Sequence, residues 1–239
     1  MPDLKRNITV AVLLLLSLSL QGQELEKFDL KTDDGKKIVA VFQMNKDNEK
    51  KRPTIILVHG GGRSKEIWQQ RGTFRKLYAE GYNVLAFDLR GNGESDPQTP
   101  GNFVYPFADF QVALDWLNAN KEVETGKIGA MGSSYGSNVL AAGMQLYDWN
   151  VDTVITLSAT AVAFKVLGGR NVVRPLKNAY YIACEDELER YDAANVAQKL
   201  YDITKEDRNI EVLPGRYHGS SIYPMKEKEI LAWFDKHLK

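Results

Sequence analysis

The sequence predicts an α/β fold, in which a doubly wound, mostly parallel β-sheet carries helices on both faces. Short apolar runs, such as 55–58, have nonpolar side chains at successive positions, as strands that are covered on both faces do. Segments with apolar residues at helical spacing, such as 107–120, alternate with these runs along the chain. This alternation is typical of βαβ units and therefore of a parallel sheet.

The elements follow one another in a regular order. A hairpin over 27–44 is expected to turn at Asp34-Gly35, a dipeptide typical of tight turns. Gly81 is expected to end the first helix. No internal repeat or long linker interrupts the chain, so residues 23–239 are predicted to form one domain. Strands are expected at 55–58, 82–88, 127–134, 152–158, 179–186 and 209–215, and helices at 67–81, 107–120, 137–147, 188–203 and 227–238.

The bulk composition argues against several classes of partner and cofactor. The chain has 31 basic and 31 acidic residues, so a nucleic acid or an anionic membrane is not an expected partner. Cys184 is the single cysteine, which rules out an intramolecular disulfide. Neither Cys184 nor the three histidines stand in a zinc-binding pattern, so no metal or other cofactor is expected.

The N-terminal segment has the pattern of a secretory signal peptide. Lys5 and Arg6 precede an apolar stretch over 8–20, which is shorter than the roughly 20 residues of a membrane-spanning helix. Gly22 is a candidate for the last residue before cleavage, although no Ala-x-Ala pattern is present. We therefore expect a signal peptide over 1–22 and an exported protein, periplasmic or secreted, with no membrane span after cleavage. An uncleaved membrane anchor is the alternative.

Residues 132–136, Gly-Ser-Ser-Tyr-Gly, match the pattern Gly-x-Ser-x-Gly with Ser134 at its centre. Ser133 does not fit, because Met131 and Tyr135 stand where it would need glycines. A serine on a sharp turn between strand and helix takes a strained backbone conformation, and the flanking glycines let neighbouring backbone approach without a Cβ clash. Its hydroxyl is then exposed beside a helix N-terminus that favours negative charge. The alternative is an ordinary turn of small residues.

A serine nucleophile needs a base, and three histidines are candidates. His237 lies in the closing helix, off its apolar stripe, and is expected at the surface. His59 ends a strand beside three glycines and is expected to pack within its loop. His218 lies in the loop between the last strand and the last helix, at the strand edge where ligands bind in such sheets. His218 is therefore the predicted base for Ser134.

The imidazole in turn needs an acid to hold its tautomer and to stabilise its cation. Glu185, Asp186 and Glu187 follow the strand over 179–184, and Asp186 is the predicted acid. Acidic residues also suit the start of a helix, which is the competing explanation for Asp186 and a sufficient one for Glu187. The sequence leaves open whether Glu185 or Glu187 is the acid instead of Asp186.

These motifs together resemble the α/β-hydrolase family over about residues 24–239. The resemblance rests on the HGGG loop at 59–62, the DLRGNGES loop at 88–95, the GSSYG segment at 132–136, and the order nucleophile, acid, histidine. It implies a Ser134-Asp186-His218 triad. It also implies an oxyanion hole built from the backbone N–H groups of Tyr135 and Gly61, with Gly62 as the alternative to Gly61.

Many members of this family carry a helical lid after the sixth strand. Only about twenty residues separate Ser158 from the next strand, which implies little or no lid and an open site. This layout is similar to dienelactone-hydrolase-like proteins and to the catalytic domains of prolyl-oligopeptidase-type peptidases. The chain differs from the first group because dienelactone hydrolases have a cysteine where this chain has Ser134. It differs from the second because those peptidases carry a large propeller domain, which this sequence does not contain.

The expected function is a serine hydrolase that cleaves carboxylic esters through an acyl-enzyme. A small peptidase or acyl-peptide hydrolase is the second hypothesis, and a basic or acidic pocket that recognises a chain terminus would support it. A non-catalytic binding protein on the same fold is the third. The expected partner is a small ester or a short peptide; the oligomeric state is not predicted.

Overall fold

The structure is a computed structural model that describes residues 25–45, 51–98, 106–121, 123, 127–161, 176–187 and 191–239. The predicted signal peptide over 1–22 lies outside these residues. So does 162–175, the centre of the connection in which little or no lid is expected, and that prediction stays untested. Among the described residues, no helix combines the length and the apolar character needed to cross a membrane.

The eight strands form one sheet, in the order β1-β2-β4-β3-β5-β6-β7-β8. The strands β1 and β2 are antiparallel to each other, β2 is antiparallel to β4, and all other neighbours are parallel. The predicted fold class, a doubly wound and mostly parallel sheet, is confirmed. The strands are β1 (Glu26–Lys31), β2 (Lys37–Gln43), β3 (Thr54–Val58), β4 (Asn83–Phe87), β5 (Ile128–Ser133), β6 (Thr153–Leu157), β7 (Ala179–Cys184) and β8 (Arg208–Leu213).

Burial explains why the central strands are apolar at every position. Each residue of β3 through β7 is buried, whereas β1 and β8 at the two edges are largely exposed. The hairpin between β1 and β2 turns at residues 32–36, as the Asp34-Gly35 dipeptide predicts.

Helices cover both faces of the sheet. One face packs against α3, α4 and α5, with Phe110, Leu140 and Val196 among the buried side chains. The other face packs against α1, α2 and α6, where Trp68 and Phe234 are fully buried. The helices are α1 (Glu66–Gln70), α2 (Thr73–Ala79), α3 (Phe107–Ala119), α4 (Tyr135–Leu146), α5 (Ala193–Ile203) and α6 (Tyr223–Leu238).

The single helix expected over 67–81 is in fact two short helices, α1 and α2. The break lies at Gly72, whose φ of 73° is left-handed and ends the regular helix. The other helices differ from expectation mainly at their first residues, since α5 begins at Ala193 and α6 begins at Tyr223.

The register of the parallel strands brings their carboxyl ends to one edge. Val58 of β3 pairs with Gly132 of β5, and Leu157 of β6 pairs with both Ser133 of β5 and Ile182 of β7. The residues that directly follow these strands are therefore neighbours in space, and they form the candidate site.

Candidate active site

Ser134 lies in a strained turn between β5 and α4. Its φ of 50° and ψ of −107° fall outside the regions that non-glycine residues normally adopt. A Cβ on Gly132 would lie 2.6 Å from the backbone carbon of Gly136, and a Cβ on Gly136 would lie 2.3 Å from the carbonyl oxygen of Val58. The sharp turn therefore needs a glycine on each side, as the sequence pattern predicts.

His218 contacts the hydroxyl of Ser134. The Nε2 atom of His218 lies 2.7 Å from Oγ of Ser134, although 84 residues separate the two in sequence. The ring of Tyr191 stacks on the imidazole, with 4.6 Å between ring centroids. The structure thus brings together the predicted nucleophile and the predicted base.

Glu187, rather than the predicted Asp186, contacts the other nitrogen of the imidazole. Oε2 of Glu187 accepts a hydrogen bond from Nδ1 of His218. With Nδ1 as the donor, Nε2 carries the lone pair that can take the hydroxyl hydrogen of Ser134. Glu187 is nearly inaccessible, with 2% of its side chain exposed, whereas Asp186 and Glu185 are exposed.

The turn after β7 explains why Glu187, and not Asp186, contacts His218. The backbone N–H groups of Glu185 and Asp186 donate to the carbonyl oxygens of Leu213 and Gly215, which fixes both residues in the turn. Glu187 folds back from that turn, and its Oε1 accepts hydrogen bonds from the backbone N–H of Cys184 (2.9 Å) and the hydroxyl of Ser158 (2.7 Å).

Two further serines hold the loop that carries His218. The hydroxyl of Ser158, which donates to Glu187, also accepts from the backbone N–H of Gly219 at 2.9 Å. Ser133 accepts from the backbone N–H of Ser220 at 2.8 Å. Ser133 is thus a buried structural residue, in agreement with its exclusion as nucleophile, while the contribution of Ser158 could not be inferred from the sequence.

The side chains of the other two histidines have partners other than Ser134. His59 is fully buried, accepts the backbone N–H of Leu89 through Nε2, and has its pKa lowered by burial. It therefore packs within its loop, as expected. His237 is expected at the surface from the sequence, but only 9% of its side chain is exposed. Its ring packs against the ring of Trp233.

Gly61 and Tyr135 face each other beside Ser134. A Cβ on Gly61 would lie 3.6 Å from Cβ of Tyr135, and Tyr135 is the first residue of α4. The backbone N–H of Gly62 donates to Oδ1 of Asn92 at 3.2 Å, which engages the alternative donor. Of the two candidates from the sequence, Gly61 is therefore the one next to Tyr135, and Gly62 is the one whose N–H already has a partner.

A cluster of ion pairs surrounds the buried Lys65, three residues after the glycine loop at 59–62. Lys65, which is 1% exposed, places its Nζ atom 2.8–2.9 Å from carboxylate oxygens of Asp88, Glu66 and Glu94. Burial lowers the pKa of Lys65, but these hydrogen bonds outweigh burial and hold it above its usual value. The three carboxylates are close enough to hold a metal ion, but the ammonium group lies among them, so they fit a structural role.

A second group of ion pairs involves Arg90, whose side chain is 7% exposed. Its guanidinium contacts Asp109 and Asp34, each at 2.7 Å. Cys184 is also buried, and burial raises the pKa of its thiol, which agrees with a packing role.

A cavity of about 700 Å³ opens onto Ser134 and His218. Gly61 and Tyr191 form part of its wall, and so do three arginines, Arg63, Arg71 and Arg216. This volume is within the range of sites that bind small molecules.

A family model described as alpha/beta hydrolase fold matches residues 53–178, which is more than half of the 239-residue chain. The chain belongs to the α/β-hydrolase family. Esterase Pf2001 of Pyrococcus furiosus superposes with a TM-score of 0.71 at 19% identity, over 90% of this chain and 94% of that one. At this identity the similarity shows the fold alone.

Two curated relatives are similar in sequence. An uncharacterized protein, YcjY of Escherichia coli (strain K12), is 26% identical over 80% of this chain and 56% of its own length. The acylamino-acid-releasing enzyme 1 of Oryza sativa subsp. japonica is 33% identical over 44% of this chain and 14% of its own length. The chain thus spans little more than half of the first relative and a small part of the second. Membership of the α/β-hydrolase family supports a hydrolase, whereas the first relative is uncharacterized and the second is matched over a small part of its length.

Proposed function

We propose that this hydrolase cleaves carboxylic esters with Ser134 as nucleophile, His218 as general base and acid, and Glu187 as the acid that orients His218. The observation that carries the proposal is the 2.7 Å contact between His218 Nε2 and Oγ of Ser134, made by a serine in a strained turn. A nucleophile and a base at this separation, with an acid on the far side of the imidazole, form the arrangement that activates a hydroxyl.

The proposed reaction has two halves. Oγ of Ser134 attacks the ester carbonyl carbon while its proton passes to Nε2 of His218, and the negative charge collects on the carbonyl oxygen. Backbone N–H groups of Gly61 and Tyr135 stabilise that oxyanion. His218 then protonates the departing alkoxide, which leaves an acyl group on Ser134. A water molecule, deprotonated by His218, releases the acid by the reverse sequence.

Hydrolysis of 4-nitrophenyl butyrate tests this proposal. We expect turnover by the parent and its loss on the order of a millionfold in Ser134→Ala. His218→Gln should lose activity similarly, whereas the matched variant His237→Gln should retain it, since His237 lies on α6 outside the cavity. Absence of turnover in the folded parent, or full turnover by Ser134→Ala, would contradict the proposal; a folded parent that binds but never turns over substrate would favour a binding protein.

A peptidase or acyl-peptide hydrolase is the second candidate. The three arginines of the cavity favour it, because a basic pocket can recognise the carboxyl terminus of a peptide. Release of N-acetylalanine from a short acetylated peptide, at a rate above that for the ester, would place this activity first.

The proposed location is outside the cytoplasm, on the basis of the basic start and the apolar stretch over 8–20. Mass spectrometry of the mature protein from a periplasmic or secreted fraction should show a chain that begins after Gly22. A full-length chain found only in membranes would favour the uncleaved anchor instead.

A further inference from the structure

The cavity at Ser134 is lined by positive charge. Arg63, Arg71 and Arg216 form part of its wall, and no acidic side chain is among the described residues that line it. The whole chain has a formal net charge of zero, so this excess is local.

These arginines have no partner of their own among the residues that the structure describes. None of the three guanidinium groups makes an ion pair or a side-chain hydrogen bond there, and all three residues are exposed. Arg90 differs, because its guanidinium is held by Asp34 and Asp109. The cavity arginines are not held in this way, and a planar guanidinium can bind a carboxylate through two parallel hydrogen bonds.

The three arginines line the same cavity as Ser134 and His218. Arg63 directly follows the glycine loop at 60–62, and Arg71 directly follows α1. Arg216 lies two residues before His218, but it also borders an adjoining depression lined by Glu185, Asp186 and Asp192. Arg63 and Arg71 therefore carry the argument.

The rest of the wall, as far as it is formed by described residues, is mostly polar. Ile67 and Tyr191 are the only large nonpolar side chains among the described lining residues; the others are glycines, serines, a glutamine and the charged or catalytic groups. A long acyl chain would find few contacts there, whereas a carboxylate would find guanidinium groups that bind it in a fork-like geometry.

We infer that this site takes substrates that carry a carboxylate close to the bond to be cleaved, bound by Arg63 and Arg71. The inference rests on the proposed function and narrows its substrate class. The carboxylate has two chemical sources, an acidic ester or the free carboxyl terminus of a short peptide, and the experiment separates them.

The test compares substrates in matched acid and neutral pairs. The ester pairs are 4-nitrophenyl hydrogen adipate against its methyl ester, and 4-acetoxybenzoate against its methyl ester, so that the carboxylate lies on the acyl side or the leaving-group side. The peptide pair is N-acetyl-Ala-Ala with a free or an amidated carboxyl terminus. In one of these pairs the acid should have a kcat/KM about tenfold or more above that of its neutral partner. The preference should shrink in about 1 M salt, where the Debye length falls to about 3 Å.

The variants Arg63→Gln, Arg71→Gln and their double should bring the acid-to-neutral ratio of kcat/KM towards one. The control is the double variant Lys199→Gln/Lys205→Gln, which removes the same two charges from exposed positions that do not line the cavity. It should keep the ratio of the parent. Circular dichroism and thermal unfolding verify that each variant is folded.

A parent that hydrolyses neutral and acidic partners equally, with turnover lost in Ser134→Ala, overturns the inference and leaves the proposed function intact. If no substrate is turned over, the proposed function fails, and calorimetric titration with adipate decides the inference separately. Binding of adipate, but not of dimethyl adipate, that is lost in the Arg63→Gln/Arg71→Gln double variant supports it. Absence of adipate binding, or binding that survives the double variant, overturns it.

Discussion

The carboxylate that holds His218 comes from the last of three consecutive acidic residues. Glu187 has 2% of its side chain exposed and accepts hydrogen bonds from Cys184, Ser158 and His218. Its carboxylate oxygens are thus satisfied by donors, as a buried polar group requires. This placement identifies Glu187 as the residue that orients the imidazole in the proposed mechanism.

Glu187→Gln and Asp186→Asn form a matched pair of substitutions. Glu187→Gln keeps the shape of the side chain. The amide no longer holds His218 in the tautomer whose Nδ1 carries the hydrogen, so kcat should fall by about 10⁴-fold. Asp186→Asn removes the same charge from an exposed position and should change kcat by less than about threefold, since surface substitutions have small effects. Steady-state hydrolysis of an ester measures both. A larger loss of kcat in Asp186→Asn than in Glu187→Gln would identify Asp186 as the acid.

The contact between Ser134 and His218 could be predicted from the sequence because each residue stands alone in its motif. Ser134 is the only serine that satisfies the glycine spacing, and His218 is the only histidine in a loop that follows the last strand. The residue that contacts His218 could not be assigned among three neighbours, because the direction of each side chain depends on backbone hydrogen bonds from Glu185 and Asp186 to the end of β8 and the residues after it.

At the scale of elements, the close packing of α4 against β3 sets the position of the nucleophile. Gly136, in the first turn of α4, packs where its Cβ would lie within 2.7 Å of the backbone at Val58 and His59. The same helix begins at Tyr135, whose phenol is half-buried and has its pKa raised to about 12 by burial. The strand-to-helix turn is therefore held by packing on both sides.

Gly136→Ala should destabilise the protein by about 3 kcal/mol or more, because the overpacked atoms are backbone and cannot move aside. Gly61→Ala is the matched control for stability, since its Cβ would make only an ordinary 3.6 Å contact with Tyr135. Urea unfolding monitored by circular dichroism compares the two variants. Equal stability of Gly136→Ala and the parent would show that α4 does not pack as closely as described.

The break between α1 and α2 is the clearest feature of the fold that the sequence pattern did not predict. Ile67 and Phe74 are seven residues apart and both are buried, a spacing that a continuous helix would also produce. Hydrophobic period alone therefore cannot distinguish one helix from two. Gly72 adopts a left-handed conformation between them, which sequence rules treat only as a modest cost in a helix.

At the scale of the whole molecule, ion pairs join segments that are distant in sequence. Arg90 connects the hairpin turn at Asp34 to Asp109 in α3, and Lys65, directly before α1, pairs with Asp88 after β4. Hydrogen bonding to Arg90 and then to Thr32 lowers the pKa of Asp34 from 3.8 to about 2. The succession of strands and helices along the chain was predictable from alternating patterns, whereas these long-range pairs were not, because charge spacing gives no distance information.

The lowered pKa of Asp34 predicts a pH dependence of stability. A carboxyl group whose pKa is depressed by folding contributes stability above its unfolded pKa, and that contribution is lost as the pH falls through the folded value. The difference in free energy of unfolding between the parent and Asp34→Asn should therefore be constant above about pH 4 and shrink as the pH falls to about 2.

Asp33→Asn is the control for this measurement, since Asp33 is an exposed neighbour in the same turn. Its stability should follow that of the parent over the whole pH range when both are unfolded by urea. A difference between the parent and Asp34→Asn that does not change between pH 5 and about 2 would contradict the ion pair with Arg90.

The central claim is that Ser134 is activated by His218, and labelling with a fluorophosphonate probe tests it most directly. Peptide mapping by mass spectrometry should find one adduct, on the peptide that contains Ser134. The adduct should be absent from Ser134→Ala and strongly slowed in His218→Ala, because the unassisted hydroxyl is a poor nucleophile. An adduct that persists in Ser134→Ala, or a folded parent that takes up no probe, would contradict the claim.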